Sequence, residues 1–229
     1  MATAADTLLP PPPPSMTRTK PNYERLACCY DCWANWEDPY LRAGFNMLDI
    51  QQNDAICDIG SATGRFLLRA GEATGENGRI VGIDLSQRMC QVARKRCEGM
   101  PCTWEVRNGD ALSILQTSTS TTFDRIAMSF TLELFEDEDA RQLLRAAAER
   151  LRLEVGRMVV ISMSSAGKTM SCSMCCYSCC RGMCPCVVDC RPIDVAKLVK
   201  EVETLEIVQH EILPMYGLSV ELVAMKRVL

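Results

Sequence analysis

A single stretch constrains this chain most: Ile56-Cys57-Asp58-Ile59-Gly60-Ser61-Ala62-Thr63-Gly64-Arg65-Phe66. An apolar run, Ala55 to Ile59, has the length and composition of a buried strand and carries an acid near its end. It opens into a glycine-containing turn, and helical composition resumes at Arg65. Gly60 and Gly64 permit the positive φ or close backbone approach that a tight strand-to-helix turn needs. Spacing then separates the ligands such a turn could hold. A dinucleotide fingerprint has its third small residue five positions after the first glycine, where this chain has Arg65, and its glycine falls one position earlier, at Gly64. The offset favours a nucleoside ligand without a pyrophosphate.

The other strand ends extend the pattern. Ile80-Val81-Gly82-Ile83 ends at Asp84, Thr103 to Arg107 leads to Asp110, and Phe123 to Ser129 forms a fourth strand. Strand five is expected over Gly156 to Met163, and two further strands, Leu205 to Leu213 and Ser219 to Lys226, flank the turn Pro214-Met215-Tyr216-Gly217. Helices are expected over Asn22 to Trp36, from an N-cap at Asp38 to Leu48, from Arg65 to about Thr74, over Gln87 to Cys97 capped by Ser86, from Glu136 to about Leu153, and over Pro192 to Val202. The acids Glu136 to Asp139 are expected to open their helix, where they complement its dipole. Alternating strands and helices imply an α/β fold: a Rossmann-like seven-stranded, mostly parallel sheet with one antiparallel strand and helices on both faces. The C-terminal strand ends of such a sheet line its ligand crevice, so Asp58, Gly60, Asp84, Asp110 and Ser129 should converge although they span some seventy residues. An acid at the end of strand two suits a ribose diol.

Size and charge narrow the class. At 229 residues the chain is long enough for one full α/β core, and 25 basic against 29 acidic side chains leave a net charge of −4 and a pI near 5.2. That balance lacks the electrostatic footprint of a nucleic-acid binder. No run approaches the roughly 18 apolar residues of a membrane span, and the N-terminus is a poor secretory signal, so a cytoplasmic enzyme is expected, with an organelle transit peptide as the alternative. Residues 1–20, with Pro10 to Pro14, are expected to be a disordered proline-rich tail, and residues 21–229 the folded domain.

On these motifs the chain resembles the class I S-adenosylmethionine-dependent methyltransferases, in particular the type 11 group with the ubiquinone and menaquinone biosynthesis C-methyltransferases. The resemblance rests on Asp58 to Gly64, on Val81 to Ser86 followed by Met89, on Asn108-Gly109-Asp110-Ala111, on Phe123-Asp124 leading to Ser129-Phe130, and on Gly217 to Glu221. It implies S-adenosyl-L-methionine as cofactor and a small-molecule methyl acceptor. Asp58 and the backbone of Gly60, Ser61, Ala62, Thr63 and Gly64 would hold the methionine end, and Asp84 the ribose hydroxyls. Leu85 and Met89 would flank the adenine, with Asp110 and Ala111 at its edge. Tyr23 or Tyr30 would close over the cofactor. Ala62 departs from the family pattern, which has glycine there.

Methyl transfer needs alignment and exclusion of water more than a dedicated catalyst, so no catalytic residue is assigned. Glu133, Asp189, His210, Tyr216 and Glu221 are candidates for a base or an orienting group, each with a structural alternative: a turn or rim residue for Glu133, a strand surface residue for His210, a packed loop aromatic for Tyr216. Fifteen cysteines include eight between Cys172 and Cys190. Cys172, Cys175, Cys176, Cys179 and Cys180 follow the spacing of one helix face, which favours an apolar stripe over a metal site. The alternatives are a soft-metal or arsenic-binding cluster and a redox element. The resemblance implies that this insertion, about residues 168–191, forms part of a substrate lid, with Cys184, Cys186 and Cys190 of interest. A methyltransferase-like protein without activity is the remaining alternative.

Overall fold

The structure is a computed structural model that describes residues 21–27, 29–117, 121–166, 177, 179 and 190–229, the Trp33 side chain excepted. The proline-rich tail, Asp189 and the cysteine block other than Cys179 and Cys190 lie outside the described residues.

Seven strands form one sheet in the order β3-β2-β1-β4-β5-β7-β6. They are β1 (Ala55–Ile59), β2 (Arg79–Asp84), β3 (Thr103–Asn108), β4 (Arg125–Ser129), β5 (Arg157–Met163), β6 (Leu205–Met215) and β7 (Leu218–Arg227). The first five pair in parallel, while β7 runs antiparallel to both β5 and β6. The order reverses at β1, with β2 on one side and β4 on the other, so the β1 end is the switch point where a crevice opens. The helices are α1 (Tyr30–Ala34), α2 (Asp38–Leu48), α3 (Arg65–Thr74), α4 (Gln87–Cys97), α5 (Ala111–Thr117), α6 (Asp137–Arg150) and α7 (Val195–Lys200). No described helix is long and apolar enough to cross a membrane.

Burial on both faces explains why the strands read as nearly continuous apolar runs. Cys57, Ile59, Val81, Ile83, Ile126 and Met128 face one core with residues of α5, α6 and α7. The alternate positions Ile56, Ile80 and Ala127 face a second core with α2, α3 and α4. The period of two along each strand thus feeds two helix layers. On the second face α2 approaches the sheet at Gly44, where an added Cβ would stand 2.5 Å from Ile161 Cδ1.

Several boundaries differ from expectation. A single helix over Asn22 to Trp36 is not formed: residues 21–26 are helical, the chain turns, and α1 and a 3-10 turn, Asn35–Glu37, follow. Two backbone hydrogen bonds, Cys29 N to Leu26 O at 2.9 Å and Cys32 N to Cys29 O at 3.0 Å, close this break. Asp38 is already in the first turn of α2 and pairs with Arg65 instead of capping, and Pro39 takes the early helical position that suits it. Helix α5 has no counterpart among the expected elements. The hairpin turn tightens to Tyr216-Gly217, both at positive φ (47° and 83°), as a two-residue connection requires. Tyr216 is therefore no packed aromatic; it stands 88% exposed at the tip.

Candidate functional site

The turn after β1 is shaped by backbone hydrogen bonds to β2. The Gly60 and Ser61 amides donate to Ile83 O at 2.8 and 3.0 Å, and the Gly64 amide donates to Ser61 O at 2.8 Å. Gly60 (φ +77°) and Gly64 (φ +81°) occupy the left-handed region, and a Cβ on Gly60 would overlap the Thr131 side chain. Ala62 also has positive φ, 44°, a conformation an L-residue adopts at a cost. Its amide is turned to the Asp84 carboxylate, donating to Oδ2 at 2.8 Å, while Oδ1 accepts from the Ser86 amide at 2.8 Å. Ser86 in turn caps α4, its Oγ accepting from Met89 N at 3.2 Å.

These elements open a cavity at the β1, β2 and β4 ends. Its walls include Tyr23, Tyr30, Asp58, Gly60, Ser61, Ala62, Thr63, Asp84, Leu85 and Ser129, joined by Glu37, Leu41, Arg65, Phe66, Phe130 and Thr131. Asp58, Asp84 and Ser129 meet there, as the strand ends predict. Gly64 lies just outside, as the residue before α3. Met89 and Ala111 are buried in the packing behind, and Asp110 lies at the N-terminus of α5, its Oδ2 accepting from Ser113 N and Oγ at 2.8 and 2.6 Å. The structure therefore does not put Met89, Asp110 or Ala111 among the cavity-lining residues.

The cavity is acidic. Burial pushes the Asp58 carboxyl up to about 8, with the Asp84 charge adding to the effect. Burial likewise raises Asp84 to about 6, against the pull of the two amide hydrogen bonds. Glu37, half-buried, is raised to about 7 by burial, with Arg65 opposing. The cationic lining residue, Arg65, is committed to the Asp38 carboxylate and to Ala34 O. Among the described residues, buried Ser61 Oγ, Ser129 Oγ and Asp110 Oδ1 have no hydrogen-bond partner. Of these, Ser61 and Ser129 line the carboxylate-walled cleft, where a polar ligand would satisfy them.

Residues 21–38 roof the site through polar ties to the scaffold. The Glu24 carboxylate accepts from Gln87 N at 2.6 Å, at the start of α4. Asp31 pairs with Arg96 and accepts from Thr63 Oγ1 at 2.6 Å. Tyr23 and Tyr30 contact each other with ring centroids 6.2 Å apart, and Trp36 meets Phe130 edge-on at 5.3 Å. Glu37 and Thr131 carried no sequence signal; an acid between a tryptophan and an aspartate reads as a solvated turn.

The other candidates are placed elsewhere. Glu133 lies in a 3-10 turn, Leu132–Leu134, as expected, but not on the rim: it is 1% exposed, its Oε2 accepts from Met163 N at 3.2 Å, and burial raises its carboxyl to about 8. Glu221, fully buried on β7, accepts from Ser164 Oγ, from Val195 and Ala196 N and from His210 Nε2 (2.8 Å), so it ties α7 to the sheet. Cys179 is exposed and Cys190 half-buried. Among the described residues no group of three or more His, Cys, Asp or Glu side chains could hold a metal ion.

Comparison with known proteins agrees with this architecture. Residues 56–154 match the profile of a methyltransferase domain. The demethylmenaquinone methyltransferase of Tropheryma whipplei (strain Twist) is 33% identical over 135 residues, 57% of this chain and 49% of the relative. The chain spans about half the length of the curated relatives it matches. Among solved structures, the N-methyltransferase NodS from Bradyrhizobium japonicum in complex with S-adenosyl-L-homocysteine superposes with a TM-score of 0.65 at 18% identity, over 91% of this chain and 98% of that one. The methyltransferase complexed with the Trm112 activator of Haloferax volcanii reaches 0.71 at 13% identity, covering 92% and 98%. Residues 56–154 are thus similar to a methyltransferase domain, and the chain shares the fold of these solved methyltransferases.

Proposed function

We propose that this protein binds S-adenosyl-L-methionine in the cavity at the β1, β2 and β4 ends and transfers its methyl group to a small-molecule acceptor. The observation that carries the reading is the joining of Asp84 to the glycine turn: the acid that would receive a ribose diol is fixed by the amide of Ala62 in the loop that would receive the methionine end. The residues fit the cofactor. Its sulfonium and ammonium groups match a cavity walled by Asp58 and Asp84, and its hydroxyls and amine offer partners to Ser61 and Ser129. When bound, the cofactor supplies an electrophilic methyl group on a positively charged sulfur. The chain's own part is to hold the donor, align the acceptor and keep water out, the last through the roof of Tyr23, Tyr30 and Leu41.

A small acceptor is favoured over nucleic acid by charge. A chain of net charge −4 with an acidic cleft repels a phosphate backbone. The demethylmenaquinone relatives are consistent with a small acceptor. We place the protein in the cytoplasm, on the expectation from its sequence. Incubating the full chain with S-adenosyl-L-methionine and a cellular metabolite extract, followed by mass spectrometry, tests the function. A metabolite gaining the mass of one methylene, absent with Asp84→Ala, supports it. Methylation confined to RNA would contradict the acceptor class, and no methylation of any component would favour an inactive scaffold.

A further inference from the structure

The strand-end acids account for the donor, yet the cavity carries one carboxylate more than they require. Glu37 sits on the 3-10 turn of the roof, across from the strand ends, and lines the same cavity as Asp58 and Asp84. The Tyr30 hydroxyl donates to its Oε1 at 3.5 Å. The charged and titratable groups around it are Tyr30, Arg65, Asp31 and Asp38 on the roof side and α3, with Glu133 beneath. Arg65 is shared with Asp38 and Ala34 O, so it does not neutralise Glu37 alone. Glu133, buried near Glu37, keeps Oε1 without a hydrogen-bond partner among the described residues, and with its carboxyl raised to about 8 it is protonated at neutral pH. Aromatic rings complete the surroundings: Tyr23 and Tyr30 in mutual contact, and Phe130, held at a φ of 51°, between Trp36 and Tyr40.

With the donor's cationic centres facing Asp58 and Asp84, Glu37 is left facing the cavity with only an Arg65 that it shares with Asp38. Acid beside aromatic faces is the chemistry that recognises an organic ammonium, by ion pairing and by the ring quadrupoles. Building on the methyl-donor reading above, we infer that Glu37, with Tyr23, Tyr30 and Phe130, forms an acceptor subsite for a small organic amine that arrives as its ammonium ion. The ammonium must lose a proton before its nitrogen can act as a nucleophile. In that step an N–H bond breaks, its electron pair stays on nitrogen as the lone pair, and the proton passes to a Glu37 carboxylate oxygen. Burial, which raises the Glu37 carboxyl to about 7, suits it to hold that proton near neutral pH. Anionic acceptors are disfavoured by the same field.

The test is calorimetry on the full chain saturated with S-adenosyl-L-homocysteine, titrated with benzylammonium, benzyl alcohol or benzoate as probes. Benzylammonium should bind about tenfold or more tightly than the alcohol, a difference of about 1.4 kcal/mol, and benzoate should be the weakest. Benzylammonium affinity should fall as pH drops below 7, where Glu37 takes up a proton. Glu37→Gln retains the acceptor for the Tyr30 hydroxyl and should remove the preference for the amine while leaving S-adenosyl-L-homocysteine affinity within about twofold. Equal binding of the amine and alcohol, or an unchanged preference in Glu37→Gln, overturns the amine subsite with the donor site intact. Failure of S-adenosyl-L-homocysteine itself to bind overturns the donor reading and this inference with it.

Discussion

The backbone N–H of Ala62 donates to Asp84 Oδ2 at 2.8 Å, joining the turn after β1 to the end of β2. One carboxylate thus performs two tasks. It ties the turn to β2 and lines the cavity, where we propose that it receives the ribose hydroxyls. Truncating it should therefore affect binding through both contacts. Asp84→Ala should weaken S-adenosyl-L-homocysteine by a few kcal/mol at most, about 1.5–3 kcal/mol for a charge-assisted hydrogen-bonding partner. Asp84→Asn should lose less because its amide oxygen can still accept from Ala62. Titration calorimetry of both variants checks the order; equal losses would mean that the turn contact carries nothing.

Ala62 itself offers a second prediction. At φ 44° its Cβ sits in a backbone region disfavoured for any residue but glycine. Ala62→Gly removes the steric penalty, about 1–2 kcal/mol, but adds unfolded-state entropy of about 0.4–1 kcal/mol. The net effect should be a stability change near zero to about +1.6 kcal/mol, or a Tm rise of up to about 6 °C. Ala62→Val, with a β-branched side chain at positive φ, should lower Tm clearly. A thermal unfolding series on the three proteins decides it; a large loss with glycine would place the strain elsewhere.

Glu133 predicts a pH dependence of stability. Its carboxyl is raised to about 8 in the folded protein by burial, against an ordinary 4.5. Between those values the folded chain holds a proton there that the unfolded chain has released. Stability from this group is therefore present below about pH 4.5 and is lost as pH rises through 8, with a slope of up to about 1.4 kcal/mol per pH unit. Glu133→Gln, which cannot ionise, should flatten that part of the profile and gain stability relative to the wild type at pH 8. Denaturant melts between pH 5 and 9 provide the check, and parallel profiles for the two proteins would show that Glu133 is ionised throughout.

Close packing of α2 on the sheet yields a fourth expectation. A Cβ at position 44 would press on Ile161 Cδ1 and Cγ1, at 2.5 and 2.9 Å. Gly44→Ala should destabilise by about 1–3 kcal/mol through overpacking, and Ile161→Val alongside should restore part of it. Equilibrium unfolding of the single and double variants measures the coupling; strict additivity would deny the contact.

The parts of this fold that were legible in the sequence are those governed by local chemistry and strict periodicity. Buried parallel strands leave uninterrupted apolar runs, so β1 could be bounded at Ala55 and Ile59, and Ser86 marked the start of α4 through its capping side chain. The glycine turn and the Asp84 strand end were legible because few other residue patterns permit that geometry. What was missed depends on tertiary contacts. The break between residue 26 and Tyr30 arises where Glu24 and Asp31 are drawn to separate partners, Gln87 N and Arg96, some sixty residues away. Glu37 and Thr131 enter the cavity only because the roof folds back over the sheet. Glu133 looked like a rim acid, but its burial is set by neighbouring β5 at Met163 and could not be read from adjacent residues.

We propose that the cavity beside Asp84 receives S-adenosyl-L-methionine. Isothermal titration of the full chain with S-adenosyl-L-methionine, S-adenosyl-L-homocysteine and NAD addresses it directly. Saturable one-to-one binding of the first two, weakened by Asp84→Ala, and none of NAD is expected. Binding of NAD without binding of either sulfur nucleoside would contradict it.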